Sequence, residues 1–257
     1  KTGLTSVDDT IKMSLYNLDY FVKNRVPGAT KFLNVLSGAD DYSSQEWFDL
    51  VTPFSDPKWV KEKYGDEDRT LEGYAIAGVN VGQMRLLLMR LLQLRERGLL
   101  EGKDWIHCLG TGKLNWACYL TSIQRQLRKH DNPNIQLSFD AASPFVNTAY
   151  GQCYSYNYFS SKRFGYFMNK AVDHKDLVGS DMQMPFGGPI MERLKAGDMC
   201  VRGHDFRNSQ GKETSTSWDT LSYALYMAHS VHNHIAASLE ANKLADLEKY
   251  RGTVSYK

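Results

Sequence analysis

Apolar and polar positions along the chain fall into alternating blocks of two periods. Short apolar runs at residues 31–37 (KFLNVLS), 71–78 (LEGYAIAG), 105–109 (WIHCL) and 135–140 (IQLSFD) have the length of strands. The first three close on glycine and the fourth on Asp140. Between them, helical spacing predicts helices over 7–23, 46–51, 58–64, 84–97 and 114–129. In the first helix Ile11, Leu15, Leu18 and Val22 share one side, Ser6 is placed to cap it, and Asp8 and Asp9 suit its first turn. In 84–97 the residues Leu87, Leu91 and Leu94 form the core face, with Arg85, Arg90, Arg95 and Arg97 elsewhere. Strand and helix in alternation predict an α/β fold, a parallel sheet with helices packed outside it. Ligands of such folds sit at the carboxyl ends of the strands, where Ser37, Gly38, Ala77, Gly78, Gly110 and Asp140 fall.

Beyond Phe145 this periodicity is lost. Residues 150–167 are dense in aromatics, with Lys162 and Arg163 among them, and read either as a small satellite core or as a surface that stacks bases and holds phosphates. A sharp turn is expected at 185–189 (PFGGP), and 199–207 (MCVRGHDFR) is a compact basic segment that offers Arg202 and Arg207 to nucleic acid. A long helix over 217–243 carries Leu221, Leu225, Ala228, Val231, Ile235 and Leu239 at helical spacing. The expected organisation is one domain: βα units over 1–149, then an irregular aromatic and basic region with a closing helix over 150–257.

Composition narrows the class. A chain of 257 residues, 42% hydrophobic and 23% charged, with no apolar run of membrane-spanning length, has the make-up of a soluble globular protein without a membrane partner. Its four cysteines, Cys108, Cys118, Cys153 and Cys200, form no CxxC pair, which suggests reduced, buried thiols in a cytoplasmic protein. The net charge of +2 does not demand a polyanionic partner, although a local basic patch binds nucleic acid without moving the total. The first helix begins almost at Lys1, so a further segment is expected ahead of it.

Asp140 is the first candidate for chemistry. A strand that stops on an aspartate and is followed at once by small residues and Pro144 delivers a carboxylate to the rim of a sheet or barrel, although an aspartate there also serves to cap the next turn.

Three pieces in order resemble the tRNA-guanine transglycosylase superfamily. LEGYAIAGVNVG at 71–82 is similar to that family's glycine-rich base-binding strand, HCLGTG at 107–112 to the glycine-closed end of the next strand, and FDAASP at 139–144 to the turn that carries its nucleophile. The resemblance covers about 6–144 and returns near 228–237. It implies a (β/α)₈ barrel of TIM type, of which this chain supplies the C-terminal half. It also implies exchange of a guanine already in a nucleic acid for a free 7-deazaguanine base. Asp140 is then the nucleophile that attacks C1′ and forms a covalent glycosyl-enzyme. An ionised aspartate suits that role, because it stabilises an oxocarbenium-like centre and is a competent leaving group. N–H donors from the turn after it are expected to help keep it ionised. Base recognition is implied for the backbone of Ala77, Gly78 and Val79, beside Ser37 and Gly38, with Leu109 against the purine plane.

The chain departs from the family in four ways. Ser37 stands where the family has a glutamine that reads the base edge. The family's CxCxxC zinc motif is broken: His232 matches the histidine position, and Cys200 and His204 are the remaining candidates for a structural zinc. The basic residues that ordinarily follow the nucleophile are missing from 143–150. No strand bearing the family's second aspartate, the general acid/base, is present, so an upstream segment or partner chain is expected to complete the barrel. These departures favour the branch that places 7-deazaguanines into DNA, found in phages and bacterial DNA-modification clusters. A duplex substrate then requires its guanine to be flipped out, with 150–167 a candidate for holding the distorted strand. The alternatives are a tRNA-guanine transglycosylase of unusual sequence, a non-catalytic nucleic-acid-binding subunit in which Asp140 is only a cap, and an unrelated TIM-barrel hydrolase.

Overall fold

The computed structural model describes residues 6–160 and 163–245. It divides into two compact units, one of residues 1–111 and 120–140, the other of 112–119 and 141–257.

The first unit is a parallel α/β sheet. Strands β1 (Leu33–Leu36), β2 (Gly73–Ile76), β3 (Trp105–Cys108) and β4 (Gln136–Phe139) run in that order, every neighbouring pair parallel. Each lies inside the apolar run expected to form it. The register sets Val35, Ala75, His107 and Ser138 side by side across the sheet. Strand residues alternate sides: Asn34, Leu36, Tyr74, Ile76, Ile106 and Cys108 are buried, whereas Val35 and Trp105 are 39% and 46% exposed. The centre of that more open face is made of the small residues Gly73 and Ala75. A Cβ on Gly73 would meet Trp105 O at 2.2 Å, so neighbouring backbone requires glycine there.

The helices obey their caps. Ser6 caps α1 (Val7–Asn24) by accepting from Asp9 N–H, as its position predicts. Helix α2 (Asp41–Val51) starts well before residue 46, because Asp40 and Ser43 cap each other reciprocally. Helix α3 (Pro57–Tyr64) opens on a proline behind the Asp56 cap and ends at Gly65, which is left-handed with φ 78°. A single turn, α4 (Val79–Gly82), leads into α5 (Met84–Glu96), and α6 (Leu114–His130) precedes β4. In α5, Leu87, Leu91 and Leu94 are buried as expected, but Arg90 joins them with no exposed surface. Its guanidinium donates to Ser44 Oγ at 3.1 Å, to Gln93 Oε1 at 2.6 Å and to Gln45 Oε1, and lies 5.3 Å from the Phe48 ring centre. A buried cation with that many acceptors is satisfied, whereas helical spacing alone assigned Arg90 to the polar side.

Both sheet edges are blunted by side chains. On β1, Val35 O accepts from Trp47 Nε1 at 2.8 Å; on β4, Leu137 N–H donates to Gln124 Oε1 at 2.7 Å, and Ile135 O just ahead of it accepts from Arg128 Nε.

The second unit is not irregular where irregularity was expected. Strands β5 (Gln152–Phe159) and β6 (Phe164–Lys170) pair as an antiparallel hairpin, with a register shift between Tyr154 and Tyr156. Aromatic side chains recurring at every second position favour a strand over an unstructured cluster. Two short helices, α7 (Ser143–Ala149) and α8 (Ala196–Met199), and the long α9 (Thr220–Leu244) complete the unit. Its core gathers Cys153, Ala171, Met184, Phe186, Met191, Met199, Trp218 and Tyr226.

Helix α9 buries a face other than the apolar stripe in its sequence. Tyr226, His229, Ser230, His234, Ala237 and Ala241 are buried, whereas Leu221, Ile235 and Leu239 are 65%, 55% and 57% exposed. Polar anchors select that face: Tyr226 Oη donates to Val172 O at 2.9 Å, and His229 Nε2 lies 2.8 Å from Tyr154 O. Among the described residues no helix is long and apolar enough to cross a membrane.

Candidate active site

Four successive strand ends in the first unit carry the residues singled out by sequence. Ser37 and Gly38 follow β1, Ala77 to Val79 follow β2, Leu109 and Gly110 follow β3, and Asp140 follows β4.

The ends of β1 and β2 are knit together. Gly78 has φ 59° and ψ −139°, and a Cβ there would lie 2.3 Å from Gly38 O and 2.9 Å from Ser37 Oγ. Only glycine meets both demands. Asn80, fully buried, donates to Leu36 O, Ser37 O and Ala77 O and accepts from Ser44 Oγ, so one amide ties both loops. The N–H groups of Ala77 and Val79 are committed to Leu36 O and Gly38 O at 2.9 Å each. What this end offers a flat ligand is therefore a shape lined by small residues, with those two donors already in use. Leu109 stands beside it, 40% exposed, its N–H bound to Ile76 O.

Asp140 is the exposed carboxylate of the set, its side chain 58% accessible. Its Oδ1 accepts from Gly110 N–H at 2.8 Å, where Gly110 has φ 69°. The donor comes from the end of β3, not from the turn after Asp140 as expected. His107 Nε2 lies 3.2 Å from the same Oδ1. The other ring nitrogen, Nδ1, is 2.8 Å from Ser138 Oγ, which accepts from Trp105 Nε1 at 2.6 Å. Asp140 thus stands at the end of a line of polar groups, Trp105, Ser138 and His107, all on the more open face of the sheet. Sequence reasoning passed over these three. The available signal was strand alternation, which puts positions 105 and 107 on one face; the pairing of 107 with 138 comes only from the register of β3 and β4.

Neighbouring groups are quiet. Cys108, buried on β3, has its thiol pushed up to about 12 by burial and does not serve as a thiolate. Lys103, buried ahead of β3 at the opposite, amino end of the sheet with Nζ 2.6 Å from Leu71 O, is pushed down to about 8 by the same effect and takes no part in the site.

The remaining predicted residues lie in the second unit, apart from Lys162, which lies outside the described residues. Arg163, just ahead of β6, has its guanidinium 6.0 Å from the Tyr158 ring centre. Arg202 lines a cavity of about 450 Å³ with Asp173, Asp219, Trp218 and Tyr223. Arg207 Nη1 donates to His204 O. The zinc candidates do not converge. Cys200 is buried with Sγ 3.8 Å from Val172 O, His204 is exposed between Asp176 and Glu213, and His232 lies on the exposed side of α9. Among the described residues no group of three His, Cys, Asp or Glu side chains is arranged to hold a metal ion. Each candidate instead has its own local neighbour: a backbone carbonyl for Cys200, two carboxylates for His204, and the Asn233 amide 3.4 Å from His232 Nδ1.

Comparison of the chain with protein-family models, with curated proteins and with solved structures returned no match.

Proposed function

We propose that this chain is the nucleophile-bearing part of a base-exchange transglycosylase that replaces guanine in a nucleic acid, DNA in preference to tRNA, with a free 7-deazaguanine. The observation that carries the reading is Asp140: an accessible carboxylate at the carboxyl end of a parallel strand, anchored through Oδ1 by Gly110 N–H. It stands in line with the glycine-built strand ends at Gly38 and Gly78, in the order in which the family resemblance assigns base binding and attack. In the proposed step a lone pair of the Asp140 carboxylate forms a bond to C1′. The C1′–N9 pair departs with guanine, which takes a proton from solvent. The incoming base loses its own N9 proton, attacks C1′ and expels the carboxylate; two inversions give net retention. The Gly110 N–H that holds Oδ1 orients the carboxylate that attacks and later leaves.

The four-stranded sheet serves in this reading as half of a (β/α)₈ barrel, the face bearing Val35, Trp105 and His107 being its lumen. Further strands, from the same polypeptide or a partner chain, complete it by displacing the Trp47, Gln124 and Arg128 contacts at its two edges, and supply the general acid/base.

The test is incubation of the complete enzyme, this chain together with the strands that finish its barrel, with duplex DNA and, separately, with tRNA, each with a labelled 7-deazaguanine, followed by nucleoside analysis. Label in DNA is the expected result, and Asp140→Asn is expected to abolish it together with the covalent adduct. Label confined to tRNA returns the chain to the parent activity. Label in neither, or full activity of Asp140→Asn, overturns the enzymatic reading in favour of a non-catalytic subunit.

A further inference from the structure

We infer that His107 is a positioning residue for Asp140, held by Trp105 and Ser138 as the neutral tautomer with its proton on Nε2; its role in turnover rests on the transglycosylase reading above. An indole N–H only donates, so the 2.6 Å contact from Trp105 Nε1 makes Ser138 Oγ an acceptor. The hydroxyl keeps one hydrogen, and its other neighbour in this line is His107 Nδ1 at 2.8 Å. Giving that hydrogen to Nδ1 makes Nδ1 the acceptor and leaves the ring proton on Nε2, 3.2 Å from Asp140 Oδ1.

The other two protonation states fit less well. With the proton on Nδ1 alone, the Nε2 lone pair would face a carboxylate oxygen, which is repulsive. With both nitrogens protonated, Ser138 Oγ would accept from both neighbours and its own hydrogen would have no partner in the line. The Nε2–H form uses every donor.

The consequence falls on one oxygen. Gly110 N–H and His107 both approach Oδ1, from two points on or next to β3. With Oδ1 held, rotation of the carboxylate is restricted and Oδ2 is the oxygen turned to the substrate. His107 reaches the chemistry only through Asp140. Trp105, 46% exposed, is fixed by the same bond and so orients the ring that orients the carboxylate.

The deciding experiment has two arms. In the first, the full chain labelled with ¹⁵N is examined at neutral pH by long-range ¹H–¹⁵N correlation, the His107 signals being those lost in His107→Gln. A protonated Nε2 with an unprotonated Nδ1 is expected, and Ser138→Ala is expected to disturb that state. An Nδ1–H form or an imidazolium in the parent protein overturns the relay. In the second arm, base exchange is followed in His107→Phe and His107→Gln. Loss of the donor in His107→Phe is expected to lower kcat by about 100-fold, with KM for the incoming base changed far less. His107→Gln, whose amide donates from near the Nε2 position, is expected to recover much of the loss. Parent-like kcat in His107→Phe overturns the positioning role. Absence of exchange in the parent protein overturns the transglycosylase reading instead, and the first arm still decides the relay.

Discussion

The backbone N–H of Gly110 holds Asp140 Oδ1 at 2.8 Å across 30 positions of sequence, so the carboxylate carried by β4 is oriented from the end of β3. A parallel sheet makes this possible, because all its strands end on the same side and each loop is within reach of the next.

Gly78→Ala is expected to destabilise the protein by roughly 1–3 kcal/mol, since the added Cβ meets Gly38 O at 2.3 Å and the backbone is one that side chains rarely adopt. Gly82→Ala, where a Cβ meets nothing within 4 Å, serves as the control and is expected to leave stability unchanged or slightly raised. Urea midpoints of the two variants decide. Equal behaviour would mean that the β1 and β2 ends are not packed as described.

Arg90→Ala removes the buried cation that Ser44, Gln45 and Gln93 share. Leaving those groups unsatisfied and a cavity beside Phe48 is expected to cost about 2–4 kcal/mol. Arg85, whose pairing with Asp41 is exposed, should cost less than about 0.5 kcal/mol when changed to alanine. Chemical denaturation of both variants measures the contrast.

Acid is expected to weaken the second unit through His229 and His234. Both are buried, both have an unpaired Nδ1, and burial pushes both below the usual 6.5. For His229 the nearby His232 acts in the same direction. The folded form resists a proton that the unfolded chain accepts as pH falls through 6.5. Stability is therefore complete above that value and declines beneath it, by at most about 1.4 kcal/mol per pH unit for each histidine, until the folded form itself titrates. Unfolding midpoints between pH 8 and 5 should show this slope, and His234→Phe, placed between Tyr154 and Tyr166, should reduce it by about half.

The β5–β6 hairpin should bind single-stranded DNA through its aromatic face if the proposed function holds. Tyr156 and Phe167, about half exposed, stack at 4.5 Å with 17° between their planes, and Arg163 lies over the neighbouring Tyr158. Tyr156→Ala and Phe167→Ala are each expected to weaken binding by about 1–3 kcal/mol. Oligonucleotide anisotropy at fixed salt reads this, and parent-like binding in both variants would remove the hairpin from the nucleic-acid path.

Period and punctuation in the sequence were enough for the element plan of the first unit. Short apolar runs closing on Gly or Asp, and the helix starting at Ser6, depend on interactions within a few residues, and the four-stranded parallel sheet follows from their alternation. The strand ends that carry Ser37, Gly38, Ala77, Gly78, Leu109 and Asp140 were legible for the same reason.

Only the tertiary structure decided what each of those residues meets. The anchor of Asp140 lies on another strand, and the Trp105–Ser138–His107 line joins residues 31 and 33 positions apart, which no local pattern encodes. Arg90 looked polar because helical spacing ranks residues by type, whereas burial depends on whether acceptors wait inside. Helix α9 has apolar residues on several sides, so periodicity does not choose a face; the carbonyls of Val172 and Tyr154 do, by pairing with Tyr226 and His229. The physical division is one of range. Solvent exclusion and capping act along the chain and are written in it, while a polar group's partner is set by the three-dimensional neighbour that arrives only when the sheet has formed.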